Sequence, residues 1–291
     1  MAAPKLFDAL TRPSGAFAML AIDQRESMRA MFGEYQQTPV TDQQLTDFKL
    51  AALRALTPWA SAVLMDRQFV WRQAVDQKAV APGCGLIAAA DEFIASADEI
   101  VSQVRIDEQV NPAAMKDDGA VALKLLVLWR PDESAEARRS MVRDFIGRCR
   151  QAGLLSIVEP VSRKPRDARA WDLNDGIQAA AEELGSLGAD LYKAEVPLHG
   201  KGGERAVREA CARLNRTLQG PWVVLSSGVS PDDFPQAVEW ACLEGAGGFL
   251  AGRGVWRNVI GSTDIDRALI EDAAVRLARL CEVVDRVVVR R

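Results

Sequence analysis

Short apolar runs recur along the chain and alternate with longer amphipathic stretches. The runs are Phe17–Asp23, Ala62–Asp66, Gly85–Ala90, Val121–Trp129, Leu154–Pro160, Ala189–Val196, Trp222–Gly228 and Gly247–Arg253, eight in all. Near-continuous apolar runs of this length fit strands covered on both faces, as in a parallel sheet. Helical periodicity predicts helices over Asp42–Leu56, Ser134–Gln151, Leu173–Leu187, Glu204–Leu218 and Asp232–Glu244. Strand–helix alternation repeated eight times predicts an α/β fold of the (β/α)8 barrel type, with residues 1–291 forming one domain. The competing arrangement is an open doubly wound sheet, but no G-x-G-x-x-G follows the first run. A first helix is expected near Glu26, and Thr41 offers an N-cap to the next. Val104–Asp118, with Pro112 and several charges, reads as an irregular excursion. Val161–Ala170 is a basic loop broken by Pro165, Leu198–Gly203 a flexible loop, and Asp264–Arg291 a long helical tail with a valine-rich stripe.

The sixth run carries the strongest chemical signal. In Ala189-Asp-Leu-Tyr-Lys-Ala-Glu-Val-Pro197, alternation sends Leu191, Lys193 and Glu195 to one face and Tyr192, Ala194 and Val196 to the other. Lys193 therefore sits inside an apolar strand, where burial favours the neutral amine, a nucleophile suited to imine formation with a carbonyl. The structural alternative is a lysine that snorkels to water or pairs with a carboxylate. In a barrel, functional side chains collect where strands end at the C-terminal face. Asp23, Gln24 and Arg25 close the first run, Asp66 and Arg67 the second, and Asp91 and Glu92 follow the third. Lys124 lies within the fourth run, and Glu159 ends the fifth. Two inward lysines need opposite charge, which Asp23 and Glu159 can supply, and Lys124 as an adjacent ammonium would favour a neutral Lys193.

The last two runs end in a different chemistry. Ser226-Ser227-Gly228 and Gly252-Arg253-Gly254 have the character of the phosphate site that barrels often build there: glycine lets the backbone approach an anion, and arginine binds it bidentately. Phosphate-binding candidates are Ser226, Ser227, Gly228, Gly252 and Arg253. An imine-forming lysine and an anion cradle at one mouth imply a small phosphorylated ketose as substrate. Lys193 would attack the ketone, Glu159 would carry protons during imine formation and release, Asp23 would hold substrate hydroxyls, and Lys124 would tune Lys193.

Composition narrows the field further. The 291 residues carry a net charge of −4 with mixed signs, so no electrostatic footprint for nucleic acid is present. Five scattered cysteines with no C-x-x-C read as reduced thiols of a cytoplasmic protein. Met1-Ala-Ala-Pro-Lys-Leu-Phe-Asp8 lacks the pattern of a signal peptide, and no apolar run approaches membrane-spanning length. The single histidine, His199, removes multi-histidine metal sites and leaves little room for a histidine triad. It reads as a loop residue among glycines and lysine, and no cofactor or metal is expected.

The same residues carry a family resemblance. Ala16–Arg29, Leu45-Thr-Asp-Phe-Lys49, Ala122–Arg130, Val158-Glu-Pro-Val161, Gly188–Lys193, Leu225-Ser-Ser-Gly-Val229 and Gly248–Arg253 resemble the class I tagatose-bisphosphate aldolase family, and within it the sulfofructosephosphate aldolases. The resemblance implies that Lys193 forms the imine without a metal and that the protein is a homo-oligomer. It also implies cleavage of 6-deoxy-6-sulfofructose 1-phosphate to dihydroxyacetone phosphate and sulfolactaldehyde, in sulfoquinovose breakdown. The loop Val161-Ser-Arg-Lys-Pro-Arg166 departs from the family's Val-Arg-Pro-Pro pattern at Ser162 and Lys164. Gln24, Arg25 and Arg163 are the candidates for the anion at the far end of the substrate. Tagatose 1,6-bisphosphate as substrate, and a sugar-phosphate-binding regulator without catalysis, are the competing readings.

Overall fold

A computed structural model of the chain describes residues 7–167 and 169–288. The stretch read for a signal peptide (1–6), the end of the helical tail (289–291) and position 168 in the basic loop lie outside the described residues.

Every apolar run contains a strand. They are β1 (Phe17–Ala21), β2 (Ala62–Met65), β3 (Gly85–Ala89), β6 (Ala120–Trp129), β7 (Leu155–Ser162), β8 (Leu191–Glu195), β9 (Trp222–Leu225) and β10 (Gly248–Ala251). All eight pair in parallel with their sequence neighbours, and β1 closes on β10. The result is the closed (β/α)8 barrel that the alternation predicts, not an open sheet.

The pleat explains where the core lies. Inward residues on successive strands form an apolar plug of Phe17, Met19, Leu64, Ile87, Leu155, Ile157, Leu191, Val223 and Leu250. The opposite faces, with Tyr192, Val224 and Phe249 among them, pack against the surrounding helices. On β1, β3, β6, β7 and β8 the inward position one pleat beyond the plug changes to a charged residue. Asp23 follows Ala21, Asp91 follows Ala89, Lys124 follows Ala122, Glu159 follows Ile157 and Lys193 follows Leu191. A period of two thus carries five charges to one end of the barrel.

The helix Asp42–Leu56 forms with the predicted bounds, and the other predicted helices form with at least one end shifted. Thr41 caps Asp42–Leu56 by accepting the Gln44 N–H, Ser134 caps Ala135–Ala152 in the same way, and Gly153 ends that helix in the left-handed conformation. The helix starting at Leu173 stops at Leu184, three residues early, where Gly185 and Gly188 (φ +88°) unwind the chain. The helical tail turns through a π-helical step at Leu269–Ala273 before continuing over Ala274–Val288.

The larger correction concerns the stretch read as irregular. Gln103–Ile106 is a strand, β5, that pairs antiparallel with β4 (Asp91–Ile94) to make a hairpin. Pro112 begins the helix Pro112–Asp117, capped by the Asn111 side chain. Proline breaks a helix only in its interior; in the first turn its missing N–H costs nothing.

A fully buried ion pair ties the outer layer to the barrel. Lys49, on the Asp42–Leu56 helix, donates to Asp66 at the end of β2, whose other oxygen caps Phe69. Both side chains are fully buried. Removing one partner strands the other charge in a low dielectric. D66A is expected to lower unfolding stability in urea by about 3–5 kcal/mol. The double variant K49M/D66L should lose markedly less, because no charge remains uncompensated.

Candidate active site

Lys124 is fully buried, yet it is ringed by three carboxylates. Its Nζ lies 2.6 Å from Asp23 Oδ2, 2.7 Å from Asp91 Oδ2 and 3.3 Å from Glu159 Oε2. Burial opposes its charge, but Asp23, Asp91 and Glu159 together outweigh that penalty and hold the ammonium above the usual lysine range. Asp23 answers in kind: burial would raise its pKa, and the Lys124 and Lys193 ammonium groups override this and hold it well below the carboxylate range.

Among the described residues Lys193 has a single carboxylate within ion-pair distance. Its Nζ lies 2.9 Å from Glu159 Oε1, and the residue is only 3% exposed. Glu159 therefore bridges the two lysines, one through each oxygen. The Oε2–Lys124 contact lacks hydrogen-bond geometry, so Oε2 keeps a lone pair for another donor. The sequence places Lys124 beside Lys193 as a bare second ammonium. In the structure a shared carboxylate stands between them.

Above this layer opens a cavity of about 430 Å³. Asp23, Gln24, Glu159, Arg163, Ser227 and Arg253 supply its polar wall, and Leu126, Leu128, Val161 and Leu225 much of its apolar one. The tip of the β4–β5 hairpin leans over the opening with Phe93 and Asp98–Val101. It is held there by Glu99, which Arg130 grips at 2.6 and 2.8 Å, and by Arg166 bound to the Ser102 carbonyl at 2.8 Å.

The expected phosphate residues divide into two groups. Ser227 and Arg253 line the cavity, and the Arg253 Nη2 donates to Ser227 Oγ at 2.7 Å. Ser226, Gly228 and Gly252 shape the backbone behind them. Ser226 Oγ accepts the Gly254 N–H at 3.0 Å, which pins the end of β9 to the turn after β10. Gly228 has φ +80°, and a side chain there would overlap the His199 ring. His199 itself lies in a left-handed turn with Leu198 (φ 51° and 56°), so the expected loop histidine packs on the Ser227–Gly228 turn.

At the far anion position, Gln24 and Arg163 line the cavity and Arg25 does not. The Arg25 guanidinium turns into the barrel wall, donating to the Asp91 side chain at 2.8 Å and its carbonyl at 2.7 Å, over the Phe93 ring at 4.4 Å. A buried carboxylate outcompetes the open cavity for that charge.

Asp91 is the residue that sequence reasoning left without a role. It is fully buried, and it also accepts the Leu126 N–H at 2.9 Å. The available signal was its phase, one pleat beyond Ala89 on the inward face. Among the described residues no cluster of histidine, cysteine or carboxylate side chains is placed to hold a metal ion. The carboxylates converge on Lys124 instead. No helix among them is long and apolar enough to cross a membrane.

With this geometry in hand, comparison with known proteins is informative. Residues 17–258 match the model of the DeoC/LacD family aldolases. The chain is 28% identical over 284 residues to a tagatose 1,6-diphosphate aldolase of Listeria monocytogenes serotype 4a (strain HCC23), covering 87% of this chain and 82% of that one. It is 27% identical over 288 residues to tagatose 1,6-diphosphate aldolase 1 of Enterococcus faecalis (strain ATCC 700802 / V583), covering 87% and 84%. Among solved structures, the fold is similar to fructose-bisphosphate aldolase from Plasmodium falciparum, with a TM-score of 0.68 at 14% identity over 97% of this chain and 93% of that one. It is also similar to an archaeal fructose-1,6-bisphosphate aldolase whose catalytic lysine carries a carbinolamine intermediate, with a TM-score of 0.63 at 14% identity over 97% and 98%. The chain belongs to the DeoC/LacD aldolase family and is a class I aldolase, a carbon–carbon lyase.

Proposed function

We propose that this aldolase cleaves a ketose 1-phosphate through an imine on Lys193. One observation carries the assignment of the lysine. Lys124 is locked as an ammonium by three carboxylates, whereas Lys193 has one, and that one can take its proton.

Glu159 Oε1 accepts a proton from the Lys193 ammonium, and the freed amine attacks the ketone carbon C2. The resulting carbinolamine loses its oxygen as water, with a proton returned through Glu159, to give a protonated imine. The iminium cation occupies the place of the former ammonium, beside the Glu159 and Asp23 carboxylates that already balance a charge there. The C4 hydroxyl then gives up its proton to a carboxylate of the cavity wall, and Glu159 is our first choice. The C3–C4 pair of electrons flows into the iminium, and the aldehyde leaves. Protonation at C3 and hydrolysis release dihydroxyacetone phosphate and return Lys193. Arg253 and Ser227 are assigned to the C1 phosphate, Asp23 to substrate hydroxyls, and Gln24 and Arg163 to the anion at C6; Lys124, buried beneath the cavity, acts through the carboxylates it holds.

For the substrate we propose 6-deoxy-6-sulfofructose 1-phosphate, giving 3-sulfolactaldehyde as the aldehyde, on the resemblance of the strand-end motifs to sulfofructosephosphate aldolases. Tagatose 1,6-bisphosphate is the second reading, favoured by relatives named as tagatose 1,6-diphosphate aldolases. Both substrates present the same C1 phosphate and C2 ketone, and their C3–C4 diols differ in configuration at C4, so the imine chemistry at Lys193 is common to them.

Borohydride added with dihydroxyacetone phosphate is expected to fix the adduct mass on Lys193 alone, with Lys124 unmodified. K193M should show neither adduct nor cleavage. An unmodified parent protein would leave only sugar-phosphate binding. Turnover of the two purified ketose phosphates is expected to favour the sulfonate, and a marked preference for the bisphosphate would reassign the substrate. Because the iminium serves as the electron sink, cleavage is expected to persist at full rate in excess chelator.

A further inference from the structure

Glu195 is a buried acid that the imine chemistry does not use. It lies one pleat beyond Lys193 on the inward face of β8, toward the mouth, and is 4% exposed. Asp23, Asp91 and Glu159 each have a lysine or arginine nitrogen within 3.3 Å. Among the described residues Glu195 has no such nitrogen within ion-pair distance. Its Oε2 accepts the Ser162 N–H at 2.7 Å, and the next residue, Arg163, lines the cavity. The second cavity arginine, Arg253, is also within electrostatic reach.

We propose that Glu195 links capture of the substrate's anionic groups at Arg163 and Arg253 to uptake of one proton. The inference rests on reading those two arginines as anion-binding residues. While Glu195 is neutral, nothing in its position opposes an anion at the arginines. As a carboxylate it repels the anion and competes for the same guanidinium charge. Burial pushes the acid up to about 7, helped by Glu159 and opposed by the Ser162 N–H, Arg163 and Arg253. A bound anion raises it further, so binding draws in a proton.

The groups facing Glu195 are few. Lys193 shares its strand, Glu159 and Arg163 come from β7 and the loop after it, and Arg253 follows β10. The neighbour on β9 is the uncharged Leu225, Tyr192 on the same strand is within electrostatic reach, and the turn that follows β8 carries His199 and Lys201. Of these, His199 is the other group that can titrate near neutrality, and burial with Lys201 nearby holds it below its ordinary value. His199 packs on the anion turn, so it is the control.

Inorganic sulfate is a suitable probe because it stays a dianion from pH 6 to 8 and requires no turnover. Calorimetry on the full chain is expected to show the sulfate Kd rising about tenfold from pH 6 to 8, as a single protonation centred near 7 demands. At pH 7 the binding enthalpy should depend on buffer ionisation enthalpy with an uptake of about half a proton. E195Q keeps the acceptor for the Ser162 N–H and should show a flat profile with no uptake; H199Q, at a residue packed on the anion turn, should keep the slope of the pH profile whatever it does to the affinity itself. A pH-independent Kd in the parent, a profile that survives E195Q and disappears in H199Q, or no sulfate binding would each overturn the proposal. The borohydride adduct on Lys193 and the sulfate pH profile are separate measurements on the parent protein, so loss of the imine chemistry and loss of this link are told apart.

Discussion

The structure depends on a buried set of charges that balances itself. Lys49, Arg25, Lys124 and Lys193 face Asp66, Asp91, Asp23 and Glu159, four cations against four carboxylates. Each charge alone would be expensive to bury. Paired and hydrogen-bonded, the set is held in place, because removing any member leaves its partner uncompensated. The apolar plug beneath excludes water from that side of the barrel and strengthens every pair above it. The balance would also hold along the proposed reaction, in which a protonated imine at position 193 carries the same charge as an ammonium.

The two lysines are separated in role by the number of carboxylates around them rather than by their depth. Lys124 and Lys193 are both nearly sealed from solvent. Three carboxylates keep the first permanently charged, which makes it an electrostatic post and removes it as a competing nucleophile. Glu159 ties the pair together: one oxygen faces Lys193, and the other faces Lys124 and is buried without a hydrogen-bond partner. Arg25 belongs to this machinery too, although it never reaches the cavity. By saturating Asp91 it helps fix the carboxylate that positions Lys124.

The hairpin β4–β5 joins this charge layer to the mouth. Its first residue is Asp91, in the charge layer itself, and farther along it Phe93, Ile100 and Val101 line the cavity. The arginines at the other side come from loops after β7 and β10, each pinned at its base. Arg163 is preceded by the Ser162 amide held by Glu195, and the turn after Arg253 is bound to Ser226. Rigid strand ends therefore supply the charged groups, and the hairpin supplies the apolar cover.

The sequence by itself determined the barrel, because eight apolar runs at strand length between amphipathic stretches leave few other ways to bury both faces. It also placed Asp23, Lys124, Glu159 and Lys193 at one end, since a period of two carries the inward phase of each strand past the plug to its terminus. What it could not decide was who partners whom. Strand stagger and closure set the distances between residues far apart in the chain, and these put Glu159 between the lysines, gave Asp91 to Lys124, and turned Arg25 away from the cavity. The hairpin was hidden for a related reason. Its short polar strands carry no strong alternation, and only their pairing across residues 95–102 makes them strands. Glu195 was legible as inward, but that it lacks a cation partner depends on side chains from three other strands, and only the folded barrel brings those together.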